Sequence, residues 1–176
     1  DGAVCVPFET VAEYNQEKNH EIFKHPLVYI FHDVIDKTGH DGNAKQIVNS
    51  CRDAITELKR MIPTIHASYS VTEVYVTSDH GFLFNDIMFA DKDKHKIEED
   101  YLERSTRYYL TKSKDEVSGV VKFPLSEVSG MVNVDDVMVA VPKGTNRFAA
   151  PSGGYMFTHG GAALQELIIP VITSRL

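Results

Sequence analysis

Three short segments of the sequence combine histidine with aspartate or glycine, and these residue types build metal sites. The segments are 36–40 (D-K-T-G-H), 78–81 (S-D-H-G) and 158–161 (T-H-G-G). They supply two carboxylates and three imidazoles, from Asp36, His40, Asp79, His80 and His159. This donor set suits zinc, manganese or iron and suits calcium poorly, because calcium prefers oxygen ligands alone. The sequence therefore predicts a transition-metal site.

The position of these segments favours a metal site over ordinary turns with hydrogen-bonded histidines. Residues 36–40 and 78–81 each follow a run of strand-forming residues, and 158–161 open a predicted helix. An α/β sheet binds its ligands in the loops beyond the carboxyl ends of its strands. On a regular strand Asp79 and His80 would point to opposite faces, so we expect Gly81 to permit a turn there that lets them converge.

The elements that must hold these segments read as one strand-helix-strand unit. Leu27 to Ile35 is almost continuously apolar, which is typical of a parallel strand buried on both faces. Ala44 to Met61 has helical periodicity, with Asn43 as the N-cap and Pro63 beyond the end. Val71 to Ser78 reads as the next strand, and its crossover should be right-handed. The fold class is therefore α/β, with a mostly parallel central sheet flanked by helices.

The remainder of the chain predicts shorter elements. They are strands at Arg107–Thr111, Val117–Phe123 and Val137–Val141, an irregular loop over Lys143–Gly161, a helix at Ala162–Leu167 and a strand at Ile168–Thr173. We find no internal repeat and no domain boundary. Residues 1–176 are accordingly predicted to form a single partial domain.

Composition limits the classes of function. The chain is 43% hydrophobic and 24% charged, enough for an ordinary core, and its net charge of −7 argues against binding nucleic acid through a broad basic surface. Cys5 and Cys51 lack the spacing of a zinc-thiolate site or a disulfide framework. The sequence has neither a signal peptide nor an apolar run of the roughly 20 residues that would cross a bilayer. We expect a soluble, cytoplasmic protein that does not bind membranes.

Together the motifs resemble a known family. The segments 28–40 (V-Y-I-F-H-D-V-I-D-K-T-G-H), 77–82 (T-S-D-H-G-F) and 159–172 (H-G-G-A-A-L-Q-E-L-I-I-P-V-I) are similar to the PglZ domain. That domain belongs to the alkaline phosphatase superfamily and is best known from bacterial BREX phage-defence systems. The resemblance runs from about residue 27 to the C-terminus. It implies an alkaline-phosphatase-like fold whose N-terminal part is missing here.

The resemblance also implies two divalent metal ions side by side, with zinc preferred and manganese as the second choice. Asp36, His40 and His159 would bind one ion, and Asp79 and His80 would bind the other. The family's remaining aspartate ligand and its Ser or Thr nucleophile come from an N-terminal part that has no match in this sequence. We therefore expect the catalytic nucleophile upstream of residue 1, and we expect this fragment alone to be inactive.

Five further residues are weaker candidates for a role at the site. Arg147, in the irregular loop, could bind a substrate phosphate through two N–H groups or form a surface salt bridge. Glu166 could accept a hydrogen bond from a ligand imidazole or be an exposed helix residue. Thr38, Thr77 and Ser78 carry hydroxyls, but they sit in the ligand loops and not at a helix N-terminus, so we do not expect them to be nucleophiles.

The expected function is that of a metal-dependent phosphate-ester hydrolase module in a phage-defence system. It would act as a phosphatase, phosphodiesterase or nuclease, on a phosphate ester or a nucleic-acid phosphodiester, with other defence proteins as partners. The main alternative is a non-catalytic scaffold that binds proteins within a defence complex. A phosphomutase or sulfatase would share the same metal set.

Overall fold

The computed structural model describes residues 2–13, 15–86, 90, 93–130, 134, 136–149 and 156–176. The elements in chain order are β1 (Ala3–Pro7), α1 (Phe8–Ala12), α2 (Gln16–Ile22), β2 (Leu27–Phe31), α3 (Val34–Asp41), α4 (Ala44–Tyr69), β3 (Glu73–Thr77), β4 (Leu83–Phe84), β5 (Lys94–His95), β6 (Glu103–Arg104), β7 (Tyr109–Thr111), β8 (Val120–Pro124), α5 (Leu125–Ser129), β9 (Met138–Pro142), β10 (Arg147–Phe148), β11 (Phe157–Thr158), α6 (Leu164–Leu167) and β12 (Val171–Arg175). The prediction of a mixed α/β chain is confirmed. Across the described ranges, no helix combines the length and the apolar character needed to cross a membrane.

The chain divides into two compact units. Unit 1 comprises Asp1–Thr77 with Val171–Leu176, and unit 2 comprises Ser78–Pro170. The single partial domain over residues 1–176 stays a prediction, since two compact units can belong to one domain.

In unit 1, helices cover one face of two strand pairs. Strand β1 pairs with β2 in parallel, and β12 pairs with β3 antiparallel. The strands alternate between inward and outward residues, and the inward Val6, Ile30 and Val74 pack against a core from α1 and α4. The buried residues of that core are Phe8, Val11, Met61 and Ile65. The core therefore joins three strands to two helices.

The prediction of a strand buried on both faces over Leu27 to Ile35 is wrong. Strand β2 ends at Phe31, and its outward residues Leu27, Tyr29 and Phe31 are 50%, 55% and 63% exposed. A continuous apolar run has the same sequence pattern whether or not both of its faces are covered, so the pattern could not distinguish the two cases.

The D-K-T-G-H segment lies in helix α3, whereas the sequence predicted a loop after a strand. The helix begins after Asp33, whose carboxylate forms an ion pair of 2.7 Å with Lys37 one turn later. It ends at Asp41, and the N–H of the following Gly42 donates to the carbonyl of Thr38. Helical geometry matters for the site, because residues four apart share one face of a helix.

Helix α4 begins as predicted and ends later than predicted. Asn43 caps it, and Gln46 completes a reciprocal capping box. The helix continues through Pro63 to Tyr69, so the predicted end is wrong. Met61 and Ile65 lie on either side of Pro63 and both are buried in the core, which favours continuation despite the hydrogen bond that proline cannot make.

Unit 2 contains a four-stranded antiparallel sheet in the order β6-β7-β9-β8. Its core is formed by Tyr109, Val120, Ala140 and Phe148. The predicted strands correspond to β7, β8 and β9 with ends shifted by a few residues. Two short pairs complete the unit, β4 with β11 antiparallel and β5 with β10 parallel. The mostly parallel central sheet is not confirmed, because most strand pairs among the described residues are antiparallel.

Candidate metal centre

Two of the predicted ligand segments are brought together by one strand pair in unit 2. Strands β4 and β11 pair with Leu83 opposite Thr158. His80 lies three residues before Leu83, and His159 directly follows Thr158. The two imidazole rings stack with centroids 4.1 Å apart and planes 10° apart. Local strand pairing therefore places two predicted metal ligands in contact.

The hydrogen bonds of His80 select the tautomer that a metal ligand needs. Its Nδ1 lies 3.0 Å from the carbonyl oxygen of Gly81. A carbonyl oxygen only accepts, so Nδ1 carries the hydrogen and Nε2 keeps its lone pair. Metal-binding histidines commonly donate their other ring N–H in this way.

Asp79 places a carboxylate oxygen close to Nε2 of His80. Its Oδ1 accepts the backbone N–H of His80 at 3.0 Å, and its Oδ2 lies 3.6 Å from Nε2 of His80. Two atoms bound to one tetrahedral ion at about 2 Å lie about 3.3 Å apart, so the spacing fits shared coordination. The Asp79 side chain is 88% exposed and that of His80 is 34% exposed, so this part of unit 2 is open to solvent.

In unit 1, Asp36 and His40 form the second group of predicted ligands. They lie one turn apart on α3, with Asp36 Oδ2 and His40 Nε2 separated by 3.6 Å. Their side chains are 46% and 55% exposed. This spacing also suits two ligands of one ion. The donor chemistry in each unit therefore fits a divalent metal, and the assignment of His159 to the same ion as Asp36 and His40 stays a prediction.

Gly81 and Gly161 are required by close packing. Gly81 was predicted to permit a special turn, but it is not among the described glycines with positive φ, which include Gly160. Instead, a Cβ on Gly81 would lie 2.0 Å from the carbonyl oxygen of Gln165. A Cβ on Gly161 would lie 2.7 Å from Nη2 of Arg107. Both ligand loops thus pack too tightly for any side chain at these positions.

Glu166 is buried, so the alternative of an exposed helix residue is wrong. Only 3% of it is exposed, and its carboxylate accepts hydrogen bonds from Arg107 and from the backbone N–H groups of Gly161 and Ala163. Burial would raise the pKa of Glu166, but these hydrogen bonds hold it below the ordinary value. Its observed contact with the H-G-G loop is through the backbone, and the predicted contact with an imidazole stays a prediction.

Arg107 is a structural partner that sequence reasoning missed. It was interpreted only as the first residue of a strand, yet it is fully buried and lies 59 residues before Glu166, its partner. An arginine beside a predicted strand carries no sign of such a distant contact, so no sequence signal identified it.

Arg147 is also buried, with 1% exposed, so the alternative of a surface salt bridge is wrong. Burial and the nearby charge of Arg107 lower the pKa of Arg147 to about 10, while Glu166 opposes the shift. Arg147 lines a pocket of about 210 Å³ in unit 2 together with Phe82 and Gln165. Pockets for whole drug-sized ligands measure about 300–1,000 Å³, so this one suits a small group such as a phosphate.

Comparison with known proteins gives consistent matches. The sequence matches the family described as the BREX system PglZ alkaline phosphatase-like domain over residues 2–174, upstream of the quoted motifs as well as across them. It is 27% identical over 175 residues to the "Alkaline phosphatase-like protein PglZ" of Bacillus cereus (strain H3081.97), covering 97% of this chain and 20% of that protein. It is 32% identical over 162 residues to the "Alkaline phosphatase-like protein BrxZ" of Escherichia coli O9:H4 (strain HS), covering 90% of this chain and 18% of that protein. The chain thus spans about a fifth of the length of these curated relatives.

Proposed function

Because the chain belongs to the family of BREX system PglZ alkaline phosphatase-like domains, we propose that it is the metal-binding part of a phosphate-ester hydrolase in a phage-defence system. The substrate class is a phosphate ester, including the phosphodiester of a nucleic acid. Its partners are other proteins of the defence system, and its location is the cytoplasm.

The observation that carries this proposal is the arrangement at His80. Its Nδ1 lies 3.0 Å from the carbonyl oxygen of Gly81, which leaves Nε2 as the ring nitrogen available to a metal, and Oδ2 of Asp79 lies 3.6 Å from Nε2. A histidine whose other ring N–H donates to a carbonyl, beside a carboxylate, is an arrangement common among the ligands of divalent metals.

The ligand sets of the proposal are those that the family resemblance implies. Asp36, His40 and His159 bind one divalent ion, and Asp79 and His80 bind the other. Zinc is the preferred metal and manganese the second. When bound, such a pair of ions polarises a phosphoryl oxygen and stabilises the entering and leaving oxygens of a displacement.

The chain's own residues supply orientation and charge. Asp79 and His80 present one carboxylate oxygen and one ring nitrogen at the solvent-exposed surface of unit 2. The buried Arg147 places positive charge beside a pocket of about 210 Å³, which has room for a phosphate group. Thr38 lies within α3 and Thr77 ends β3, so neither has the position of a nucleophile at a helix N-terminus.

The activity test uses a full-length family member that contains these residues, loaded with zinc or manganese. We expect cleavage of bis(p-nitrophenyl) phosphate, and we expect Asp79→Ala to lower kcat/KM by about 10-fold or more because metal-site substitutions commonly cost 10- to 100-fold. Equal rates from the wild-type protein and Asp79→Ala would exclude the hydrolase. The non-catalytic scaffold would then be the better description.

A further inference from the structure

Arg107 and Glu166 form a buried ion pair at the centre of unit 2. The guanidinium binds the carboxylate through two bonds, Nε to Oε1 at 2.8 Å and Nη2 to Oε2 at 2.7 Å. The other hydrogen bonds of Arg107 run to the carbonyl oxygens of Gly144 and Asn146, so both charged groups are satisfied by fixed partners. Their side chains are 0% and 1% exposed.

Glu166 also contacts both ligand loops of unit 2. Its carboxylate accepts the N–H of Gly161 at 3.0 Å and that of Ala163 at 2.9 Å, just after His159. Its backbone carbonyl accepts the N–H of Gly81 at 2.9 Å, just after His80. A single residue therefore bonds to the backbone one residue after His80 and two residues after His159.

The ion pair suits positioning better than it suits stabilisation. A buried ion pair gains little stability over apolar residues of similar size, because removing two charges from water is costly. Its bidentate bonds are directional, however, and they fix the groups that they join. Gly160 and Gly161 give the H-G-G loop wide backbone freedom. Contacts from outside the loop are therefore needed to hold His159 in one position.

We propose that the Arg107–Glu166 pair is a positioning clamp for the metal centre. Arg107 holds the Glu166 carboxylate, and Glu166 holds the two loops so that His80 and His159 keep their ligand geometry. The inference rests on the proposed metal binding, and it adds two residues that touch neither the metal nor the substrate.

The test measures zinc affinity of the 176-residue chain by isothermal titration calorimetry, alongside amide hydrogen exchange at Gly161 and Ala163. Glu166→Gln keeps the side-chain shape but removes the charge. We expect it to weaken zinc binding by about 10- to 100-fold, as loss of a residue supporting metal ligands does, and to speed exchange at both amides.

The matched control is Glu99→Gln. Glu99 is the carboxylate of another ion pair in unit 2, with Lys122 at 2.7 Å, and its hydrogen bonds lie in the four-stranded sheet. We expect this substitution to leave zinc affinity unchanged even if it lowers stability. A loss of zinc affinity equal to that of Glu166→Gln would mean that general loosening of the fold explains the effect, and it would overturn the clamp.

Arg107→Lys provides a second variant if Glu166→Gln does not fold, because lysine keeps the charge and loses the bidentate bonds. A folded variant of either kind that binds zinc as tightly as the wild-type chain would overturn the clamp. If the wild-type chain itself does not bind zinc, the proposed metal function fails. Amide exchange then tests the clamp separately. Exchange at Gly161 and Ala163 that is as slow in Glu166→Gln as in the wild-type chain would contradict it.

Discussion

The stacking of His80 on His159 bears on the number of metal ions. The lone pair of an imidazole nitrogen lies in the ring plane, so a bound ion lies close to that plane. In the structure the two rings are nearly parallel with centroids 4.1 Å apart, so an ion in the plane of one ring would lie outside the plane of the other. Ligand nitrogens of the two rings nevertheless lie within 4.8 Å of each other, a spacing that could also serve one ion. The proposed ligand sets assign the two histidines to different ions, and the alternative is one shared ion.

A double-mutant cycle tests this assignment. We expect His80→Ala and His159→Ala each to remove or weaken a different binding event in the titration, and we expect the double variant to lose both, because the proposed ligand sets place the two histidines on different ions. Calorimetric titration of the four proteins gives the stoichiometry and the affinities. His25→Ala, at an exposed position of unit 1, should leave both unchanged. A double variant no weaker than either single variant would place both histidines on one ion.

Residue types indicated the candidate ligands but not the residues that support them. Asp79 and His80 are candidate ligands by residue type, and the structure places His159 against His80. The support of Glu166 by Arg107 depends on a contact across 59 residues, which no local pattern contains. The burial of Arg147 could not be predicted either, because an arginine in a loop is typical of the surface.

At the scale of elements, the sequence correctly predicted the features that depend on neighbouring residues alone. Asn43 alone predicted the start of α4, and the structure adds the reciprocal bond from Gln46, since a helix cap involves only neighbouring residues. The end of α4 depends on core contacts of Ile65 beyond Pro63, and local signals failed there. Strand β1 was not predicted, because its five residues gain their structure from parallel pairing with β2.

The four-stranded sheet of unit 2 contains a carboxylate whose ionisation should affect stability. Glu99 accepts a hydrogen bond from Tyr109 at 2.7 Å and pairs with Lys122. Burial would raise the pKa of Glu99, but the hydrogen bonds from Lys122, Tyr109 and Ser113 hold it below the ordinary value of 4.5. The folded state therefore holds this proton less tightly than the unfolded state.

This difference predicts a pH dependence. A lowered folded-state pKa contributes stability above the unfolded value of 4.5, and the contribution is lost as pH falls through the folded-state pKa. Glu99→Gln should lower the free energy of unfolding by about 1–3 kcal/mol at pH 7 and by less at pH 3. Urea denaturation at both pH values measures it, with the exposed Glu98→Gln as control. An equal loss at both pH values would assign the effect to packing instead of charge.

At the scale of the whole molecule, exposed apolar residues should determine how strongly the chain self-associates and binds hydrophobic dyes. On the β1–β2 pair of unit 1, the outward positions are occupied by apolar residues from both strands, and they are exposed. They are Ala3, Cys5, Pro7, Leu27, Tyr29 and Phe31. Exposed apolar patches favour association and bind hydrophobic dyes, and a net charge of −7 opposes association by repulsion. Association should therefore increase with salt, which screens the charge.

Adjacent positions on β2 allow a matched test of this face. Phe31 is 63% exposed, whereas Ile30 packs against the core of unit 1. Threonine retains the preference for strands, so we expect Phe31→Thr to change the free energy of unfolding by no more than about 0.5 kcal/mol while lowering dye fluorescence and salt-induced association. Ile30→Thr should instead cost about 1–3 kcal/mol, because it removes packed methyl groups and buries a hydroxyl. The two variants are compared by dye binding, by sedimentation velocity at two salt concentrations and by urea denaturation. If Phe31→Thr destabilised the chain as much as Ile30→Thr, the outward face of β2 would have to be packed in solution, and the association predicted here would not follow.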